Sequence, residues 1–418
     1  NGTRINQGAY GGTDQASLSS SSSRILILLS PIGGEIWNTN GTIQWRAFGG
    51  GWAGDDKVNL LYSPNDGSDW YIVPGASGLL ASDGQYKWDI LDITPGKEYR
   101  VRVEYVDDIN VMAESSTVFT IGRMQYFVND TVLDGDVYCT APGDISNDGL
   151  SANAPKASIQ AVVDAYDLEP GDTIYIDSGT YTLTANIVIT SADGGSASGF
   201  VRFLGVTGKT ILDRGGGGSG PLDIKCFYVQ GASFVMIQNM ICRNANIGIE
   251  YNQSDFGQII GNIVYDCSSN GISSTASEYS VIRNNCVIQN TGTAIKIVAY
   301  YLNEYSYLPF LFKNNTIYSN NANGIYIAAG SGPIIENNIV VASGIGNYCM
   351  SMYDVNSVGT SNYNDYYTLN TAQVGKIGNN DAQTLSGWRA AAGLDANSIS
   401  LDPLFADSGA GNYHLKST

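Results

Sequence analysis

Five asparagines recur through the second half of the chain: Asn239, Asn262, Asn285, Asn315 and Asn338. The steps between them are 23, 23, 30 and 23 residues. Nine residues after each of the first four comes a small residue followed by isoleucine: Gly248-Ile249, Gly271-Ile272, Ala294-Ile295 and Gly324-Ile325. Both markers register the same seven-residue insertion, so they belong to one structural repeat. A chain with a fixed period of this length stacks coil upon coil and buries like residues above like. Some 23 residues suit three short strands and three turns, and the leucine signature of leucine-rich repeats is missing. The residues two beyond each asparagine, Ile241, Val264, Val287, Ile317 and Val340, are expected to fill the interior. The amides, each both donor and acceptor, are expected to hydrogen-bond from coil to coil. The insertion, within Val298 to Phe310, must leave the coil as a loop.

The flanks set the domain plan. Ser158 to Tyr166 (SIQAVVDAY) places Ile159, Val162, Val163 and Tyr166 on one helical face. With the turn-and-strand run Glu169 to Ile176 and Gly179-Thr180-Tyr181, it resembles the N-terminal cap of right-handed parallel β-helix proteins, among them the pectate-lyase-like superfamily. The resemblance implies a helix that closes the open apolar end of the first coil. At the other end, Leu385 to Leu394 is expected to form a short helix docked by Trp388. Residues 24–122 alternate apolar and polar positions in about seven short runs separated by turn signals such as Asn65-Asp66-Gly67. Their pattern, carried by Ser30-Pro31, Gly33-Gly34-Glu35, Trp37, Trp45, Trp70, Trp88 and Arg100 to Val103, resembles an Ig- or fibronectin-III-like module. Its tryptophans fit a sandwich core better than a sugar-stacking platform. Ser19 to Ser23 has nothing to bury and reads as a linker. The expected organisation is all-β: an N-terminal strand and linker at 1–23, an Ig-like β-sandwich at 24–122, and a right-handed parallel β-helix with an N-terminal helix cap at 123–418.

Lys and Arg number 21 and Asp and Glu 39, a formal net charge of −18. Such a chain repels nucleic acid and anionic membranes, so neither is an expected partner. No run approaches the ~18 apolar residues of a membrane span. The chain starts at Asn1, as expected of a processed product or an excised fragment, and an extracellular or cell-surface location is expected. Six cysteines (Cys139, Cys226, Cys242, Cys267, Cys286 and Cys349) form no CxxC pair, which argues against zinc. Most are expected as buried thiols rather than disulfides. Asn-x-Ser/Thr sequons start at Asn1, Asn40, Asn129, Asn252 and Asn314, a number that chance explains in so Asn-rich a chain.

β-Helix proteins of the superfamily that this chain resembles commonly carry polysaccharide lyases, hydrolases and epimerases. A lyase needs a base beside the proton it removes, and calcium or Arg against the uronate carboxylate. The one catalytic candidate is a row: Arg283 and Lys313 stand two residues before an asparagine, and Glu336 holds that place on the next coil. A solvated, charge-paired outer face explains the row better. Asp134, Asp136, Asp144 and Asp148 lie in a turn-rich loop that leaves calcium open as a cofactor, although such loops are usually plain turns; no other cofactor is expected. Tyr300, Tyr301, Tyr305 and Tyr307 of the insertion are the glycan-binding candidates, against simple cover for a neighbouring coil. The sole histidine, His414, occupies a structural position.

In bacterial proteins that this chain resembles, a segment like Asp402-Pro403-Leu404-Phe405 … Tyr413-His414-Leu415 is followed by a closing strand. Here the closing motif, Gly2 to Thr13, stands at the start of the chain. The chain is then either one unit of a longer array, or a subunit whose residues 1–13 complete the last coil of the next copy. The second arrangement would engage Ile5, Ala9 and Tyr10 with Leu404, Phe405, Tyr413 and Leu415, and repeated head to tail it builds a filament. The favoured expectation is a structural or assembly protein that partners with copies of itself. A polysaccharide lyase or epimerase, and a glycan-binding module, are the alternatives.

Overall fold

The computed structural model describes residues 23–37, 40–90, 93–94, 96–122, 124–197, 199–215, 224–298, 310–319, 322–328 and 332–416. The chain forms two compact units, Asn1–Met124 and Gln125–Thr418.

In the first unit, Ile25–Ser30, Asn40–Phe48 and Gln85–Asp89 form an antiparallel sheet. A second sheet is built around Lys57–Ser63, Gly96–Tyr105 and Phe119–Ile121. Alternation turns one set of side chains from each sheet inward: Leu26, Leu28, Ile43 and Trp45 meet Val58, Leu60, Val101, Val103 and Phe119 in one buried core. The result is a β-sandwich. Trp37, Trp45 and Trp88 are buried in it, and Trp37 meets Trp88 edge to face at 6.3 Å. Trp70 is half-buried with the Arg102 guanidinium 4.0 Å over its ring. No tryptophan platform is therefore offered to a sugar by these four residues.

The second unit is a parallel β-helix with three faces. Face one runs from Gln125–Val128 to Thr360–Asn362, face two from Gly179–Thr182 to Asp365–Leu369, and face three from Ile187–Thr190 to Gln373–Ile377. Face two has eight strands, one from each coil, and every coil-to-coil pairing between these limits is parallel. The helix Ile159–Val163 is shorter than the sequence predicts. Ser158 caps it, its Oγ accepting from the Ala161 N–H, and Ile159, Val162 and Val163 are buried over the first coil. Tyr166 lies beyond it, its ring tilted against Tyr126 at 4.8 Å between centres and its hydroxyl donating to the Asp148 carbonyl. Asn129 is fully buried and its amide donates to Asp136 and the Ala141 carbonyl, so that sequon is out of reach of modification.

The asparagine repeat has a physical explanation that differs in one step from the expectation. The corner between faces one and two needs a left-handed residue. Asn239, Gly261, Asn284, Asn314, Asn337 and Tyr363 occupy it, with φ between 57° and 66°. Asparagine tolerates this region better than most residues. The next residue turns inward. In each doublet, such as Asn284-Asn285, the first asparagine makes the turn and the second is the buried rung. The rungs are therefore Asn262, Asn285, Asn315, Asn338 and Asn364. Asn239 belongs to the corner column, and Met240 holds the rung position of its coil: the Met240 N–H donates to Asn262 Oδ1. That coil is one residue shorter, so Cys242 rather than Ile241 points inward, paired in register with Val264.

Each rung amide donates through Nδ2 to the next rung's Oδ1, at 3.1, 3.0, 3.0 and 3.0 Å from Asn262 to Asn364. Each also donates to a face-one carbonyl of the preceding coil, Ile237, Ile259, Ile282, Phe312 and Ile335 in turn. The Oδ1 atoms accept a backbone N–H from the coil before as well. The polar column is thus satisfied inside an apolar tube, where an unmet donor costs about 1–3 kcal/mol.

The small residue before each isoleucine has an equally direct cause. A Cβ at Gly248, Gly271 or Gly324 would lie 2.3, 2.4 and 2.4 Å from a methyl of Val264, Val287 and Val340. Those valines sit two beyond the next coil's rung, so the two sequence markers are two sides of one contact. The insertion is also as expected in place: 12 residues link Ile295–Val298 to Leu311–Lys313, against five between Asn270–Thr275 and Val281–Arg283.

Candidate functional site

Register places one outward side chain per coil in straight rows, so any site on the coils is built from residues about 23 positions apart. On face one the row Arg283, Lys313, Glu336 and Asn362 is real, each residue the direct partner of the next. Lys313 Nζ meets Glu336 Oε2 at 2.7 Å, with both side chains about one-third exposed. Arg283 stands exposed beside them. An ion pair this open contributes ~0–1 kcal/mol and excludes no water, so it leaves no base prepared for proton abstraction.

Face two carries a cluster that spacing alone did not reveal. Arg243 contacts Asp213 Oδ2 through Nε and Nη2, both at 2.8 Å, and donates from Nη1 to the Tyr265 hydroxyl at 3.0 Å. Asn244 Nδ2 donates to Asp213 Oδ1 at 2.8 Å. Burial opposes the charge on Asp213. The hydrogen bonds from Asn244, the Gly215 N–H and Arg243 outweigh it and hold the carboxyl below the usual range. Every strong donor and acceptor here is already engaged.

Face three presents Tyr228, Glu250, Ser273, Lys296, Tyr326, Ser351 and Lys376 in one line. Glu250 is neutralised by Lys225 at 3.0 Å, whose ammonium lies 3.9 Å over the Tyr228 ring. Lys296 is half-buried and makes no hydrogen bond or ion pair with a described residue.

Three of the four aspartates considered for calcium are engaged within their own loops. Asp144 Oδ1 accepts from the Ser146 N–H and hydroxyl, Asp148 Oδ1 from the Leu150 N–H, and Asp136 from Asn129 and Ser178. Asp134 is exposed. No group of three His, Cys, Asp or Glu able to hold a metal exists among the described residues. Tyr300, Tyr301, Tyr305 and Tyr307, like Ile5, Ala9 and Tyr10, lie outside the described residues.

The C-terminal end of the β-helix has two parts. The inner part is closed. The last rung, Asn364, donates to Asp395 Oδ1 at 3.1 Å, and the same carboxylate accepts from Ser361, Ser398 and Trp388 Nε1. Trp388, fully buried in the helix Leu385–Ala392, lies against Gly375, where a Cβ would be 2.1 Å from the ring. The outer part is open. Ser398 takes the next rung position, its hydroxyl accepting from the Asn364 N–H, and Ile399 pairs in parallel with Asp365. Among the described residues no backbone pairs with the far side of Ile399, and Ile399, Leu401 and Leu404 are 48%, 62% and 53% exposed, although the Leu404 carbonyl accepts from the Lys416 N–H. Phe405 and Tyr413 turn back and pack on Tyr318 of face two, at 6.2 and 5.3 Å between ring centres. Leu415 is exposed. Of the four C-terminal residues assigned to assembly by sequence, Leu404 and Leu415 face outward while Phe405 and Tyr413 are engaged within the chain.

A family model described as "Periplasmic copper-binding protein (NosD)" matches residues 163–386, which is 224 of the 418 residues. The chain belongs to the NosD family. No curated protein matches it. Among solved structures it is similar to pectate lyase Pel9A, at 15% identity over 68% of this chain and 84% of that one, with a TM-score of 0.41. It is similar also to the A-module of the Azotobacter vinelandii mannuronan C-5 epimerase AlgE4, at 17% identity over 60% and 76%, TM-score 0.35. The alginate lyase from Paenibacillus sp. str. FPU-7 is similar at 13% identity over 55% and 93%, TM-score 0.32. These are likenesses of fold, and no chemistry is taken from them.

The family description names copper, whose usual protein donors are thiolate, thioether and imidazole. The residues here do not fit such a centre. All six cysteines are free, and five are buried. Burial pushes up the thiols of Cys139, Cys242, Cys267 and Cys349, away from the ligating thiolate. Cys286, half-buried, is likewise pushed up by burial to about 11. The one histidine, His414, is exposed in the C-terminal hairpin, and no group of three His, Cys, Asp or Glu among the described residues could hold a metal.

Proposed function

We propose that this protein is a structural building block outside the cytoplasm, assembled by strand complementation at the C-terminal end of its β-helix. One observation carries the reading: Ser398 and Ile399 extend face two past Asp365 by a single parallel bridge, no backbone among the described residues pairs beyond Ile399, and Ile399, Leu401 and Leu404 are exposed. Protein chains rarely leave such an edge uncovered. The segment Gly2 to Thr13 resembles the strand that closes related β-helices, so the occupant proposed is residues 1–13 of another copy, adding parallel backbone hydrogen bonds and placing Ile5, Ala9 and Tyr10 against the exposed leucines. Head-to-tail repetition then gives a filament. The family description supports a periplasmic or extracellular setting, and no helix among the described residues is long and apolar enough to cross a membrane.

Electron microscopy and light scattering of the full chain and of a form lacking residues 1–13 test the reading. Concentration-dependent oligomers are expected from the first and monomers from the second. Identical mass distributions for the two would refute it.

A further inference from the structure

We propose that Cys226 and Cys242, both free in this structure, are an oxidisable pair whose disulfide staples two successive coils of the β-helix. The contact that makes glycine recur on the other coils places them together. A Cβ at Gly248, Gly271 or Gly324 would lie 2.3–2.4 Å from a methyl of the valine two beyond the next coil's rung. On face three Lys225 pairs with Ile247 and Phe227 with Ile249, so Cys226 holds the place of Gly248 one coil earlier. On face two Cys242 pairs with Val264, so it holds the place of that valine. The closest side-chain approach of the repeat is therefore made here by two cysteines. Both are fully buried. Cys226 Sγ lies 3.7 Å from the carbonyl oxygen of Leu212, the register partner of Cys242, and 3.8 Å from that of Arg243, its chain neighbour. Burial, and after it a hydrogen bond with the Cys226 thiol, pushes up the thiol of Cys242. Adjacent coils ~4.8 Å apart suit the ~4.4–6.8 Å that a disulfide spans between Cα atoms. Cys139, Cys267 and Cys349 turn instead to the carbonyls of Val128, Tyr265 and Tyr367.

The place of the staple has its own logic. The amide column begins at Asn262, and one coil earlier its position is held by Met240, which offers only a backbone N–H. One coil earlier again it is held by Thr210, the register partner of Met240. A thioether cannot donate, so no side-chain hydrogen bond of the column leads from Met240 to either neighbour. Cys226 belongs to the coil of Thr210 and Cys242 to the coil of Met240, so the bond joins the two coils across this gap. The oxidant is a disulfide, the usual currency of oxidation outside the cytoplasm. One cysteine thiolate attacks the S–S bond of the oxidant and expels one thiolate. The second cysteine thiolate then attacks the mixed disulfide, forms the Cys226–Cys242 bond and expels the other. Two electrons pass to the oxidant, and the two cysteine protons end on its two thiols. Both sulfurs are sealed in the folded tube, so the exchange precedes closure of these coils. The inference rests on the setting outside the cytoplasm proposed above, and not on assembly.

The test refolds the reduced full-length chain from urea in mixed reduced and oxidised glutathione, then traps free thiols with N-ethylmaleimide in fresh urea. Mass spectrometry is expected to find four adducts, against six on the reduced chain. Trypsin cuts after Lys225 and Arg243 and releases residues 226–243 as one peptide, expected without adducts and two hydrogens lighter than the dithiol. The oxidised chain should unfold at a urea concentration roughly 0.5–1 M above the reduced one, a difference absent from Cys226→Ala and from Cys242→Ala. Circular dichroism checks that oxidation leaves the β signal intact. Six adducts, a bond from Cys242 to Cys267 instead, a bond that forms only with loss of the β signal, or an unchanged midpoint would each overturn the inference. The adduct count on the parent chain decides even where a variant does not fold. None of these outcomes bears on assembly through residues 1–13, which is read from oligomer mass.

Discussion

The two ends of the β-helix are closed by different means, and the difference follows from the direction of its amide ladder. At the N-terminal end a short helix buries Ile159, Val162 and Val163 over the first coil, an apolar lid on an apolar tube. At the C-terminal end the lid is again a helix, carrying Trp388, but beneath it stands a buried carboxylate, Asp395. Within the column every rung donates to the next one toward the C-terminus, while its other N–H serves a carbonyl of the coil before. The first rung therefore needs no special partner: Asn262 receives the Met240 N–H and the column can stop in methionine. The last rung has a donor to place, and Asp395 receives it. Polarity in the interior, rather than shape, decides which end needs an anion. It also separates two parts of the C-terminal end, since the interior is sealed while the outer side of Ile399 stays unpaired among the described residues.

This contrast can be broken at several points, most severely at Asp395. Asp395→Ala removes the carboxylate that accepts from Trp388 Nε1 and the Ser398 hydroxyl and that shares the donors of Asn364 Nδ2 and Ser361 with other acceptors, and is expected to destabilise the second unit by ~3–5 kcal/mol in urea unfolding. A cost below ~1 kcal/mol would mean the ladder needs no anionic terminus. Truncating the N-terminal lid by Ile159→Ala should cost ~2–4 kcal/mol through lost burial alone. The direction of the ladder gives a finer contrast. Asn364→Leu removes the acceptor of two N–H groups, Asn338 N and Nδ2, whereas Asn262→Leu removes the acceptor of one, Met240 N. The first is expected to cost ~2–4 kcal/mol and the second ~1–2 kcal/mol, and equal costs would contradict a directed column.

The smallest expected effect lies between the ends, where Glu278 stands beside Asp255. Burial, then the neighbouring Asp255 charge, raises its carboxyl above the ordinary value. A raised acid favours the folded state while protonated, at pH below its unfolded value, and that contribution is lost as pH rises through the folded value. Glu278→Gln should therefore gain stability relative to the parent between about pH 4 and pH 7. A pH-independent difference in urea midpoints would show that no such coupling exists.

The period was legible because it rests on steric and hydrogen-bond requirements that repeat on every coil. Gly248, Gly271 and Gly324 must clear the branched side chain of the next coil, and no other residue type does so as well. The phase was harder. Asn239 and Asn262 are 23 residues apart and both are asparagine, yet one turns the corner and the other is buried. Composition cannot distinguish a left-handed asparagine from an interior one when both stand next to each other in the doublets. Asn364 was hidden for the opposite reason: it is a true rung after an irregular step of 26 residues. Asp395 lies outside the repeat, and nothing local marks a lone aspartate as the end of a column. The face-three row needed the register of every coil before Lys296 and Tyr326 became neighbours, whereas Arg283, Lys313 and Glu336 could be aligned in advance because each stands two residues before a rung.

Assembly at the open edge is tested most directly by titrating a fluorescent peptide of residues 1–13 into the chain lacking those residues, followed by fluorescence anisotropy. Saturable binding that is abolished by the double substitution Ile399→Asp and Leu401→Asp, with unfolding midpoints unchanged, is the predicted result. Absence of peptide binding, or binding indifferent to those two substitutions, would contradict strand complementation at this end.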